Sequence, residues 1–147
     1  MLSDTYTDNN VFLLIDEVGG IPGYDIQFVF GDYDAVPTTA LKVNLKGYYD
    51  GNAGHTVILQ QYNFNTTTWT SVPGAVFPDE VSEQWYIFTL IDDPNYIQAS
   101  QVELRVVHTV GGNPLHQFHI DQLYLEFAGK AEVQFKGMYR GIQRKMR

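Results

Sequence analysis

A chain of 147 residues is long enough for one domain that buries roughly 70 % of the surface its unfolded form exposes, and with no cysteine it has neither disulfide staples nor thiolate chemistry. Its formal charge of −8 is unevenly placed: six of the nine basic residues follow Phe127 against the single acid Glu132, a tail of +5. In the preceding body three basic residues face sixteen acids, −13, and such a separation marks a body with an interaction tail.

The opening MLSDTYTDNN shows no basic region followed by an apolar core, so no secretory signal is expected. No apolar run reaches bilayer-crossing length, and the protein is expected to be soluble, with no membrane partner. Residues 11–18, VFLLIDEV, form a short apolar strand. After the turn GGIPG, YDIQFVF places Tyr24, Ile26, Phe28 and Phe30 on one face. Leu41, Val43 and Leu45 then alternate with Lys42, Asn44 and Lys46, the clearest half-buried strand of the chain.

TVILQQY (56–62) and WTSV (69–72) flank the polar turn NFNTTTW and make a hairpin. QWYIFTL (84–90) reads as a buried strand with apolar residues on both faces, which puts Trp85 in the core. SQVELRVVH alternates through Val102, Leu104 and Val106 up to a Gly-Gly-Asn-Pro turn. In the returning strand Phe118 and Ile120 have one parity and Leu123, Leu125 and Phe127 the other, so a bulge is expected near Asp121 and Gln122. The abundance of Tyr (10) and Phe (9) agrees with β structure. About eight strands and no helical pattern before residue 128 predict an all-β fold: an antiparallel two-sheet sandwich of jelly-roll type spanning 1–127, followed by an arm, 128–147.

Histidine and aspartate cluster around the last hairpin. His116 and His119, three apart on a strand, point to opposite faces and cannot share one metal. His119 and Asp121 share a face, and His108 lies across the hairpin from His116, but no closed ligand set emerges. Asp121 is expected to accept backbone N–H groups at the bulge. There is no G-x-S-x-G elbow, and no pair of acids stands out for glycoside hydrolysis. The expectation is a protein without catalytic residues, resident metal or cofactor. Asp32 and Asp34 in GDYDAVP are the best oxygen donors for calcium, without EF-hand spacing. Trp69, behind a polar loop, and Tyr62 are the candidates for stacking on a glycan.

The arm is the sharpest feature. Phe135, Met138 or Tyr139, Ile142 and Met146 recur at three- or four-residue spacing among Lys136, Arg140, Arg144 and Lys145. Gly137 and Gly141 make a stable free helix improbable, so the arm should order when it docks. The partner-binding set is therefore Phe135, Lys136, Met138, Tyr139, Arg140, Ile142, Arg144 and Lys145. The acidic body repels nucleic acid and anionic lipid, leaving neighbouring copies of this chain, or a larger scaffold, as the partners.

The stretch HTVGGNPLHQFHIDQLYLEF, with its F-x-I-D-x-L-Y-L returning strand, resembles the final hairpin of galactose-binding-like β-sandwiches and of small sandwich proteins of tailed bacteriophages. The resemblance implies a structural protein of the virion, assembled in the host cytoplasm, decorating the capsid or belonging to a tail or fibre, and contacting other virion proteins. Its sugar-binding branch implies a non-catalytic carbohydrate-binding module that takes a host glycan.

Overall fold

The computed structural model describes residues 12–30, 41–52, 54–79, 82–98 and 101–126, together with the backbone of two short strands at 133–134 and 139–141. Eight strands build the body: β1 (Leu13–Asp16), β2 (Tyr24–Phe30), β3 (Lys42–Asp50), β4 (Val57–Asn63), β5 (Thr68–Phe77), β6 (Gln84–Thr89), β7 (Val102–His108) and β8 (Gln117–Glu126). Two more, β9 (Val133–Gln134) and β10 (Tyr139–Gly141), come from the C-terminal extension.

The topology follows from one long hairpin folded over on itself. Its tip is the β4–β5 turn, where the Asn63 side chain accepts the backbone N–H groups of Asn65 and Thr66, both at 3.0 Å, and Thr67 takes a positive φ of 55°. Moving back from that tip, β4 pairs with β5, β3 with β6, β2 with β7 and β1 with β8, all antiparallel. Lateral pairing of β3 with β8 and of β4 with β7 then closes two sheets, ordered β1-β8-β3-β6 and β2-β7-β4-β5. This is the jelly-roll arrangement, and the predicted all-β, eight-stranded sandwich is the fold observed.

The inner faces supply the core by period two. Tyr24, Ile26, Phe28 and Phe30 of β2 are all buried, as are Val43 and Leu45 of β3, Val102, Leu104 and Val106 of β7, and Phe118, Ile120, Leu123 and Leu125 of β8. Aromatic rings knit the two sheets together: Phe77 meets Phe118 edge-on at 5.1 Å and Tyr86 at 4.9 Å.

The parity switch in β8 is a bulge. Lys46 stands opposite Gln122 and Gly47 opposite Ile120, so Asp121 is the extra residue. The strand crowds its neighbour there, and a Cβ on Gly47 would collide with the His119 carbonyl oxygen. Asp121 points to the outer face, where its Oδ2 lies 3.1 Å from the Lys46 ammonium, which also contacts Glu83 at 3.0 Å. The partner seen for this carboxylate is thus the Lys46 cation.

Residues 84–90 depart from expectation. β6 ends its sheet and is not covered on its outer face, so Trp85 and Ile87 are 44 % and 57 % exposed, while Tyr86, pointing inward, is 8 % exposed. An apolar run suggests two buried faces; a sandwich edge supplies one. The strand predicted at 69–72 is also longer, and its ladder with β4 is irregular between Ile58 and Gln60.

Candidate functional site

Among the described residues, the β1–β2, β3–β4 and β7–β8 connections lie at one end of the sandwich, because Asp16, Asp50 and Gln117 share one register level and Tyr24, Val57 and His108 another. Turns 17–23, 51–56 and 109–116 therefore meet. Gly23 donates its N–H to the carbonyls of His108 (2.9 Å) and Val110 (2.8 Å), and Glu17 donates its own to that of His116 (3.0 Å). The first and last of these turns touch at Gly23 and Gly112: a Cβ on Gly23 would stand 2.6 Å from His108 Nδ1 and 2.9 Å from the Gly112 Cα.

Beneath this contact lies a buried polar cluster. Glu17, only 1 % exposed, follows β1 directly. Its Oε1 accepts the Tyr49 hydroxyl at 2.7 Å and lies 2.6 Å from His108 Nδ1. Its Oε2 accepts the Asn113 backbone N–H at 2.8 Å and stands 3.2 Å from His116 Nδ1. The half-buried His55, from the β3–β4 loop, brings Nδ1 to 3.1 Å from the Tyr49 hydroxyl. Its ring centroid is 4.8 Å from that of His108 and 5.1 Å from that of His116. His108 is fully buried, and neither of its ring nitrogens makes an aligned hydrogen bond; the short approach of Nδ1 to Glu17 lies off the N–H direction.

Tyrosine electrostatics follow from this setting. Burial, then the hydrogen bond to Glu17 and the nearby carboxylates, hold the Tyr49 phenol well above its ordinary range. Burial likewise raises Tyr24, whose hydroxyl, 2 % of the residue being exposed, finds no hydrogen-bond partner. The cluster offers imidazole nitrogens, a carboxylate and a phenol: donors suited to binding a divalent cation or to holding protons.

Of the residues singled out from the sequence, His108 and His116 converge as the hairpin suggested. His119 does not join them: it stacks on Tyr48 at 4.1 Å on the outer face, and burial lowers its pKa. Glu17, Tyr49 and His55 were not anticipated, although the predicted topology would have brought their loops together. Trp69 and Tyr62 are both half-buried on the outer face of the second sheet, tilted against each other at 5.0 Å. The Arg105 guanidinium lies 4.7 Å over the Trp69 ring and also binds Asp25 (2.8 Å) and Gln60 (2.6 Å), so one indole face is already taken.

Tyr139 and Arg140 fall in β10, which pairs with β2 through Tyr139 opposite Phe28 and Gly141 opposite Ile26. β9 pairs with β8 through Val133 opposite Leu125. Phe135, Lys136, Met138, Ile142, Arg144 and Lys145 lie outside the described residues, as do Asp32 and Asp34. Among the described residues no helix is long and apolar enough to cross a membrane.

Fold and cluster together define a two-sheet jelly-roll sandwich with a histidine–carboxylate knot at one end. No protein-family model matches the chain, and a search of curated proteins finds no match.

Proposed function

We propose that this chain is a non-enzymatic structural protein of a tailed-phage virion, a capsid-decorating or tail-associated subunit held to neighbouring subunits by its basic C-terminal arm. The observation that supports this reading most is the extended pairing of the arm: Tyr139–Gly141 lies along the edge of β2 opposite β7, and every copy of the chain carries the same edge. Backbone ladders need no particular side chain, so an arm can be received by its own body or by a neighbour's. Charge works in the same direction, a +5 tail against a −13 body. Jelly rolls serve widely as capsid domains, which fits but does not by itself assign a role.

Magnitudes point to attachment by many copies. Burying roughly 300 Å² of apolar arm surface contributes about 7 kcal/mol, whereas ordering about fifteen residues costs at least as much. One arm alone holds weakly, and repeated arms in a closed assembly hold firmly. Deleting residues 129–147 and quantifying the subunit in purified particles tests the reading. Incorporation should fall at least tenfold, and undiminished incorporation removes the arm from the mechanism.

The alternative is a non-catalytic carbohydrate-binding module. One observation favours it: Trp85 is exposed on the outer face of the first sheet, edge-on to Tyr124 at 5.9 Å, a surface on which a sugar ring could stack. Glycan-array binding abolished by Trp85→Ala or Trp69→Ala would select this reading over the first.

A further inference from the structure

We infer that the cluster at the end where these three connections meet is a binding site for one divalent transition-metal ion of the zinc class, held by Glu17, His55 and His116 and serving to pin the loops of that end. One carboxylate oxygen of Glu17 and one ring nitrogen from each histidine already lie within 4.8 Å of one another. Two imidazoles and a carboxylate, with no thiolate in the chain, suit zinc and its first-row neighbours better than calcium or magnesium, which prefer all-oxygen shells.

Two further observations point to a cation here. Glu17 is a carboxylate removed from solvent and encircled by donors: a phenol, a backbone N–H and two imidazoles. A divalent ion beside it would supply a full positive charge to a carboxylate held away from solvent. His108 is a fully buried imidazole whose Nδ1 lies 2.6 Å from the same carboxylate without an aligned hydrogen bond. Beside a metal-bound Glu17 it acts as the group that orients the ligand.

Geometry sets what must move. Donors around a tetrahedral zinc stand about 3.3 Å apart, given bonds of about 2.0 to 2.1 Å. The widest gap in the triad therefore closes by about 1.5 Å. His55 is the half-buried member and belongs to a loop, so it can make that movement while Glu17 and His116 stay in place. Three protein donors leave a fourth position for water. The site would join the end of β1, the β3–β4 loop and the β7–β8 turn, segments far apart in sequence.

The test uses the full chain, stripped with a chelator and titrated with zinc chloride by calorimetry and thermal unfolding. One equivalent should bind, and free zinc at about a hundredfold excess over Kd should raise the midpoint by about 5 to 10 °C. His55→Ala, a change in a partly exposed loop that leaves the core untouched, should weaken binding at least tenfold. His119→Gln, outside the cluster, should leave it unchanged. Cobalt(II) should give the visible absorption of a low-coordinate site, lost in His55→Ala. Absence of saturable zinc binding overturns the proposal, as does an affinity that His55→Ala changes less than twofold or that His119→Gln reduces equally.

Discussion

Two buried tyrosines 6.3 Å apart provide the most direct check on the polar cluster, because removing the same atom from each should have opposite consequences. The Tyr49 hydroxyl donates to Glu17 at 2.7 Å, a hydrogen bond to a charged acceptor that contributes about 2 kcal/mol. Tyr49→Phe leaves that oxygen of Glu17 with only the misaligned His108 contact, so the cost should appear almost undiluted. For a domain of this size the unfolding midpoint then falls by about 6 °C. The Tyr24 hydroxyl is equally desolvated but has no hydrogen-bond partner, so Tyr24→Phe should be neutral or stabilising by up to about 1 kcal/mol. Both variants keep the ring and its packing. The assay is urea unfolding at neutral pH with chelator present, with m values required to match the wild type. Equal losses in the two variants, or a larger loss in Tyr24→Phe, would refute the account of which hydroxyl is satisfied.

Three further outcomes are expected. His119 has its pKa lowered from 6.5 by burial, with Asp50 opposing, so the folded state favours the neutral ring; the stability this contributes is present above about pH 6.5 and is lost as pH falls through the lowered value. His119→Gln should therefore show a smaller drop in urea midpoint between pH 7.5 and 5.5 than the wild type, and an identical drop would contradict the assignment. Arg105→Ala strands the buried Asp25 carboxylate and should cost about 3 kcal/mol, partly recovered by adding Asp25→Asn in a double-mutant cycle; additive losses would show that the pair is not coupled. Trp85→Gln and Ile87→Thr on the open face of β6 should each change stability by no more than about 0.5 kcal/mol, as thermal unfolding would reveal, whereas a core-sized loss would mean that this face is covered.

Period two was enough to find the strands and to say which side of β2, β3, β7 and β8 faces inward, since one buried face per strand leaves an alternating trace. It even located the bulge, because an inserted residue inverts the parity of everything after Asp121. The same signal failed at Trp85 and Ile87: an apolar residue on an open edge looks like one in a core, and burial depends on strands distant in sequence. The cluster was half legible for a related reason. His108 and His116 flank one turn and announce each other, whereas Glu17 and His55 reach them only through the folding of the whole chain. The extension read as an amphipathic stretch whose two glycines disfavour a free helix, with its docked form left open, and its described segments pair as strands along sheet edges.

The lengths involved decide how an extended arm can serve both one copy and an assembly. β9 pairs in one sheet and β10 in the other, and only residues 135–138 separate them. Five Cα steps span at most about 17 Å, and packed sheets lie about 10 Å apart. An arm can therefore close on its own body with little slack. Passing the same strand to a neighbour exchanges identical backbone ladders, so the balance depends on concentration and on strain in the connection. Removing two of the four connecting residues cuts the reach to about 10 Å, where self-closure becomes strained and exchange is favoured. The shortened chain should form dimers at concentrations where the full-length chain is monomeric, as light scattering across a dilution series would measure. If the shortened chain keeps the mass of the parent at every concentration, the arm is a latch on its own body and plays no part in joining copies.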